Sequence, residues 1–225
     1  MDNSTSWPLF ASFDPDQDSP LEVRRGESAD SPDGRSRLVF DGSLLNAAEL
    51  AKEATAFGLR ADAARPADLL LKLWTRLGPD CLAKLRGPFA FLVCDGRSLF
   101  LIRDRLGIRP IYYAHFGRRL AAAGRIKDLF AAGLEPRISP EGLRHFLLGT
   151  RSRETLHFEG VRSVPPGHLI ELRDGIERLQ EYWDLPFPPA GSGPRLTERH
   201  YVDGLHAALA ESVRLHLPDS RKPAA

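Results

Sequence analysis

The alternation of apolar and polar positions divides the chain into blocks of different period. A short apolar stretch at residues 9–13 precedes residues 14–37, which are rich in Asp, Ser, Pro and Gly and read as a mobile loop. Order resumes with a strand at 38–40. Asn46 is placed to cap a helix over 47–57, with Glu49 three residues on as in a capping box and Gly58 as the stop. A second helix is expected after Pro66, carrying Leu69, Leu70, Leu73, Trp74 and Leu77 on its buried side before Gly78.

Beyond Gly87 the period shortens. Runs at 89–94, 99–103, 111–114 and 119–123, parted by turn residues such as Asp95-Gly96, predict adjacent antiparallel strands. Helices return at 126–132 and, after the Ser139-Pro140 start signal, at 141–148. A further hairpin is expected from 168–173 and 177–181, turning at Asp174-Gly175. Residues 185–195 hold four prolines and two glycines, which predicts an extended tether. Thr197 then caps a helix whose Tyr201, Leu205, Leu209, Val213 and Leu217 fall on one stripe without an obvious partner. Helices and antiparallel strands in alternating blocks argue for an α+β layered architecture.

Composition narrows the function classes. The 225 residues are 42% hydrophobic and 27% charged, enough for one substantial core. Lys+Arg 31 against Asp+Glu 30 leaves +1, spread without a basic stripe, so a nucleic-acid partner is not expected. No apolar run approaches the roughly 18 residues of a membrane span. Residues 1–6 carry no signal-peptide pattern, so neither export nor a membrane anchor is expected. Cys81 and Cys94 fall in a helical and a strand segment, which suits buried free thiols and a reducing cytoplasm better than a disulfide.

The stretch LFLIRDRLGIRPIYY at 99–113, after Phe89-Ala90-Phe91, resembles the central strand pair of class II glutamine amidotransferases, above all asparagine synthetases. FDGSLLNAAEL at 40–50, GPDCLAKLRGPFAF at 78–91, GRIKDLFAAG at 124–133 and VPPGHLIEL followed by YWDLP at 164–186 agree in order and spacing. The resemblance implies an N-terminal-nucleophile (Ntn) hydrolase-like fold, a four-layer sandwich of two antiparallel sheets flanked by helices. It divides the chain into an amidotransferase-like domain at 1–184, a tether at 185–196, and a helix at 197–225. That last helix would lead into an ATP-pyrophosphatase synthetase domain absent from this sequence. Arg103, Asp104, Arg105 and Arg109 are expected to form a structural ion-pair and hydrogen-bond network rather than to catalyse.

The chemistry that the resemblance implies is altered at each point. The family hydrolyses glutamine with an N-terminal cysteine whose own α-amine is the general base. Here Asp2 follows Met1, the family register puts Trp7 at the nucleophile position, and Pro8 beside it has no N–H. The family's oxyanion pair is Asn-Gly, but this chain has Asp41-Gly42-Ser43. A carboxylate there would lose or reverse a donor contribution of about 3 kcal/mol. The segment that holds the glutamine α-amino group matches Arg65-Pro66-Ala67-Asp68 without the contact. The carboxylate-binding arginine is echoed only by Arg24-Arg25-Gly26, with Arg25 expected as a solvated loop residue.

The expectation is a vestigial glutamine pocket at Asp41, Gly42, Ser43 and Arg25, with no catalytic residue, no metal and no cofactor in this chain. ATP and Mg are assigned to the implied synthetase domain, the partner in cis or in trans, and a peptide or amino acid is the candidate substrate. The apolar stripe of the last helix is expected to dock that domain. β-Lactam synthetases and lasso peptide cyclases share this layout with an inactivated first domain, so the parent activity would be ATP-dependent amide formation. Two alternatives stay open: a fragment of a glutamine-hydrolysing asparagine synthetase, and a stand-alone small-molecule or peptide binding module.

Overall fold

A computed structural model describes residues 8–217, apart from 18, 19, 97, 151–155, 188, 190 and 192–195. In chain order the elements are β1 (Phe10–Phe13), β2 (Leu21–Arg25), β3 (Glu27–Asp30), β4 (Ser36–Gly42), α1 (Ala47–Ala56), α2 (Pro66–Leu77) and a 3-10 helix (Gly78–Lys84). These are followed by β5 (Phe89–Asp95), β6 (Ser98–Arg103), β7 (Tyr112–Phe116), β8 (Arg119–Ala123), α3 (Ile126–Ala131) and α4 (Pro140–Leu147). The remainder is β9 (Arg162–Ser163), β10 (His168–Arg173), β11 (Ile176–Glu181) and α5 (Glu198–His216). The chain forms two compact units, Met1–Asp184 and Leu185–Ala225.

In the first unit every strand pairing is antiparallel, in a five-stranded sheet of order β2-β1-β8-β7-β9 and a six-stranded sheet of order β11-β10-β6-β5-β4-β3. Period-two alternation sorts the side chains into layers. In β5, Ala90, Leu92 and Cys94 face the other sheet and meet Ala11, Phe13, Leu120 and Ala122. Phe89, Phe91 and Val93 point the opposite way, into a core with Leu50 of α1 and Leu69, Leu70, Leu73 and Trp74 of α2. On the far side Phe10, Ala114, Ala121 and Ala123 pack against Leu129 of α3. The result is the expected order of helix, sheet, sheet, helix. Each fully buried large apolar side chain contributes about 1.5–3 kcal/mol.

Several expectations change. The polar run at 14–37 is not a loop: it holds β2, β3 and the start of β4. Both new strands are sheet edges with one narrow buried side, Leu21 and Val23 in β2 and Ala29 in β3, so their remaining positions stay polar. The four central runs are not one meander. β5–β6 belongs to the six-stranded sheet and β7–β8 to the five-stranded one, because the segment between β6 and β7 carries the chain across the sandwich.

Asn46 makes no cap bond. Its amide instead bridges α1 to the 3-10 helix, donating to Lys84 O at 3.0 Å and accepting from Arg86 N at 3.1 Å. Ser139 and Thr197 do cap α4 and α5, accepting from Gly142 N and His200 N. The turn at Asp174-Gly175 stands as expected, with φ of +50° and +79°. Half of the expected tether at 185–196 lies outside the described residues. In α5, described by itself, no residue is buried and Tyr201, Leu205, Leu209 and Val213 are exposed.

Candidate functional site

Three segments converge at one end of the sandwich because of sheet register. The head of β1 is tied to the end of β8, with Gly124 N donating to Leu9 O at 2.9 Å. Gly124 approaches so closely that a Cβ there would lie 2.7 Å from Pro8 Cβ. Gly26 lies between β2 in one sheet and β3 in the other, and its φ of +119° makes the crossover. A Cβ on Gly26 would sit 2.7 Å from Val39 Cγ1 and 3.5 Å from Leu9 Cβ, so the crossover touches both β1 and β4. The last residues of β4, Asp41 and Gly42, end beside this junction.

Asp41 is 4% exposed and pairs across the ladder with Ala90. Arg109, from the segment joining the two sheets, brings Nη1 to 3.9 Å from Asp41 Oδ2. The carboxylate is thus held inside the fold. Gly42 has φ +131°, and a Cβ on it would come within 2.2 Å of the Pro88 carbonyl oxygen. That close approach explains the glycine without invoking an oxyanion. Ser43 is exposed, and its amide is already used, donating to Pro88 O at 2.8 Å.

Arg25 is corrected most. It is a strand residue at the end of β2, and its Nη2 lies 2.6 Å from Asp128 Oδ2 of α3. Arg125 grips the same carboxylate, Nε to Oδ2 at 3.0 Å and Nη2 to Oδ1 at 3.2 Å. Phe10 lies under both Arg24 and Arg25, with guanidinium carbons 5.3 and 5.4 Å from the ring centroid. Burial alone would raise the Asp128 carboxyl, but the hydrogen bonds from Arg25 and Arg125 outweigh it and hold the group below the usual carboxylate range. The Arg125–Asp128 pair is local: Arg125, the extended residue just before α3, reaches Asp128 in the first turn. Nothing local announces that Arg25, a hundred residues earlier, completes it.

The motif at 99–113 is structural, as expected, but its bonds go mainly to backbone. Arg103 donates to Gly107 O at 2.7 Å, Val164 O at 2.9 Å and Arg109 O at 3.2 Å. Burial holds its guanidinium below the ordinary value. Asp104, buried, accepts from the amides of Leu106, Ile108 and Arg109 at 3.1, 3.0 and 2.8 Å. Arg105 donates to Ala83 O at 2.6 Å and lies over the Trp183 ring. Gly167 completes the knot: a Cβ there would meet Trp183 O at 2.2 Å, and its carbonyl accepts from Tyr182 N at 2.9 Å. Distant sequence motifs are therefore one physical object.

Neither thiol is poised for attack. Burial, reinforced by Asp80, pushes Cys81 up to about 12, and burial with Asp95 pushes Cys94 up to about 11. Trp7 and the residues before it lie outside the described residues. The Arg65–Asp68 segment opens α2, whose first turn is capped from afar: Ala67 N donates to Glu27 Oε1 of β3 at 3.0 Å. Asp68 is engaged by Lys72 at 2.7 Å. Among the described residues no group of three or more His, Cys, Asp or Glu could hold a metal ion, and no helix is long and apolar enough to cross a membrane.

Comparison with known proteins agrees with this geometry. A family profile described as a glutamine amidotransferase domain matches residues 27–183. Amidase chyE of Penicillium rubens is 35% identical over 153 residues, covering 67% of this chain and 22% of the relative. The glutamine-hydrolysing asparagine synthetase 3 of Bacillus subtilis is 31% identical over 154 residues, covering 66% of this chain and 25% of the relative. A glutamine phosphoribosylpyrophosphate amidotransferase structure from B. subtilis superposes with a TM-score of 0.51 over 79% of this chain and 43% of that one, at 15% identity, which shows the shared fold alone. The chain spans less than a third of the length of the curated relatives it matches.

Proposed function

The chain belongs to the family of glutamine amidotransferase domains found in asparagine synthetases, and from that premise we propose that it is a nucleophile-deficient, glutaminase-like domain of an ATP-dependent amide-forming ligase. Its role there is scaffold or substrate docking. The observation that carries the reading is Asp41: a side chain without an N–H stands where the family places an amide donor, buried and within 3.9 Å of Arg109. A tetrahedral oxyanion at that position would find no side-chain N–H to receive it.

Two further facts support it. The family register along the sequence puts Trp7, followed by Pro8, at the nucleophile position. The two cysteines are protonated core thiols near neutral pH and lie far along the chain. They also suit a reducing compartment such as the cytoplasm. In this reading ATP and Mg serve the synthetase part of the parent, in cis or in trans, where ATP would activate a carboxylate by adenylation. The attacking amine comes from an amino acid or peptide rather than from glutamine-derived ammonia, which places the parent beside β-lactam synthetases and lasso peptide cyclases.

The test is direct. Purified chain incubated with glutamine is expected to release no glutamate or ammonia, and a glutamine-mimicking diazoketone is expected to leave its mass unchanged. Asp41→Asn restores one donor but no nucleophile and is expected to stay inactive. Stoichiometric adduct formation would overturn the reading. A second reading, a piece of a glutamine-hydrolysing asparagine synthetase, is favoured by the names of several relatives, and glutamine-dependent turnover by the parent protein would select it.

A further inference from the structure

The sandwich has two ends, and only one of them holds Asp41, Gly42 and Gly124. At the other, Phe13 closes β1 opposite Leu120, and Arg173 closes β10 opposite Ser98 at the start of β6. Between the two sheets at that far end lies a cavity of about 590 Å³, within the size range of small-molecule sites. Its floor is apolar, made by Phe13 of one sheet and Leu172 of the other, both buried in the layer between the sheets. His115 lines it as well, because it stands two residues after Tyr113 and so faces the same layer.

A polar strut spans the gap at this wall. Glu177 of β11 reaches across from the six-stranded sheet, its Oε1 2.5 Å from His115 Nε2. Its Oε2 accepts from Arg162 Nη1 of β9 at 2.8 Å and from the Tyr113 hydroxyl at 3.4 Å. Three groups of one sheet thus hold one carboxylate of the other, which fixes the width of the opening. With Nε2 facing a carboxylate, that nitrogen carries the hydrogen, and in the neutral ring Nδ1 is then an acceptor. The rim adds charge from three turns: Asp16 after β1, Arg118 between β7 and β8, and Asp174 between β10 and β11. Arg118 is already engaged, Nη2 lying 3.3 Å from Asp16 Oδ1. Asp174 has only Arg173 Nε at 3.9 Å. The lining therefore sets two carboxylates and an imidazole acceptor against one guanidinium.

We propose that this cavity binds a small organic ammonium, a primary amine on an apolar body, with its charge toward Asp16 and Asp174 and its body on Phe13 and Leu172. His115 Nδ1 is the further acceptor for an ammonium N–H. An anionic ligand of the same shape would meet two carboxylates and one guanidinium that is already neutralised, so charge selects the amine. The apolar floor selects the body over a bare inorganic cation. The site is independent of the functional reading above, because it lies at the opposite end of the sandwich from Asp41.

The test titrates the isotope-labelled chain with phenethylamine and with hydrocinnamate, which share a phenyl body and differ in charge, and follows the backbone amides by NMR. Phenethylamine is expected to shift the amides of 115–118 and 172–175 and to saturate below about 10 mM, as a ligand of that size allows. Hydrocinnamate is expected to bind at least about tenfold more weakly. Asp174 has φ +50°, a conformation that Asn adopts as readily, so Asp174→Asn removes the charge and keeps the turn. It is expected to weaken the amine at least about fivefold at an unchanged thermal midpoint. Asp16→Asn, at an exposed position, is the second variant and is expected to act in the same direction. Glu135→Gln removes an equal charge outside the cavity and is expected to leave the affinity unchanged. Absence of a saturable shift at these amides, equal binding of the two ligands, or an amine affinity indifferent to both Asp variants overturns the proposal. Glutamine turnover, present or absent, alters none of these readouts.

Discussion

Asp104 shows how much one side chain can organise. Its carboxylate accepts three backbone amides within five residues and so shapes the segment that carries the chain from one sheet to the other. Asp104→Ala would take the shared acceptor from three amides of a part-buried turn and is expected to cost about 1–3 kcal/mol in urea unfolding. Asp128 is the second such group, held by Arg25 and Arg125. Its folded value is depressed, so its contribution is present above the ordinary carboxylate value of about 3.9 and fades as pH falls through the lower folded value. Asp128→Asn is therefore expected to be less stable than the parent chain at pH 7, with the two unfolding curves converging in acid well below about pH 3.9. The presence of an acid in each motif was legible in the sequence. That Asp104 serves backbone amides and Asp128 serves a distant arginine was not, because the first depends on how the chain turns between β6 and β7 and the second on which strands become neighbours.

Elements with two-sided burial or strong periodicity were readable in advance. α2 keeps Leu69, Leu70, Leu73 and Trp74 on its core side, and β5 alternates between two cores along its length. β2 and β3 were not readable, since an edge strand of four or five residues buries only one or two side chains and its polar remainder looks like loop. The start of α1 was misread for a related reason. Asn46 fits the local cap pattern, but in the fold its side chain braces Lys84 and Arg86 instead. The two roles are separable by Asn46→Ser: a cap tolerates serine, whereas a brace spanning two backbone groups does not. We expect Asn46→Ser to lower stability by about 1–2 kcal/mol, read from the denaturation midpoint at constant m-value.

Across the whole molecule, the compact unit ends at Asp184, just before the Pro-rich segment. A chain terminated there is expected to retain the near-UV circular dichroism and thermal midpoint of the 225-residue chain. Both cysteines lie inside that unit, so alkylation at pH 8 is expected to modify neither thiol in the native state and both after denaturation, which makes thiol labelling a reporter of global opening. Family and layer order could be recognised from residues alone, because each is a matter of residue type at a given place in a pattern. The assignment of hairpins to separate sheets, the anchoring of Arg25 and the brace at Asn46 could not. These are contacts between segments tens of residues apart, and the free energy that selects them appears only when the sheets close over a common core.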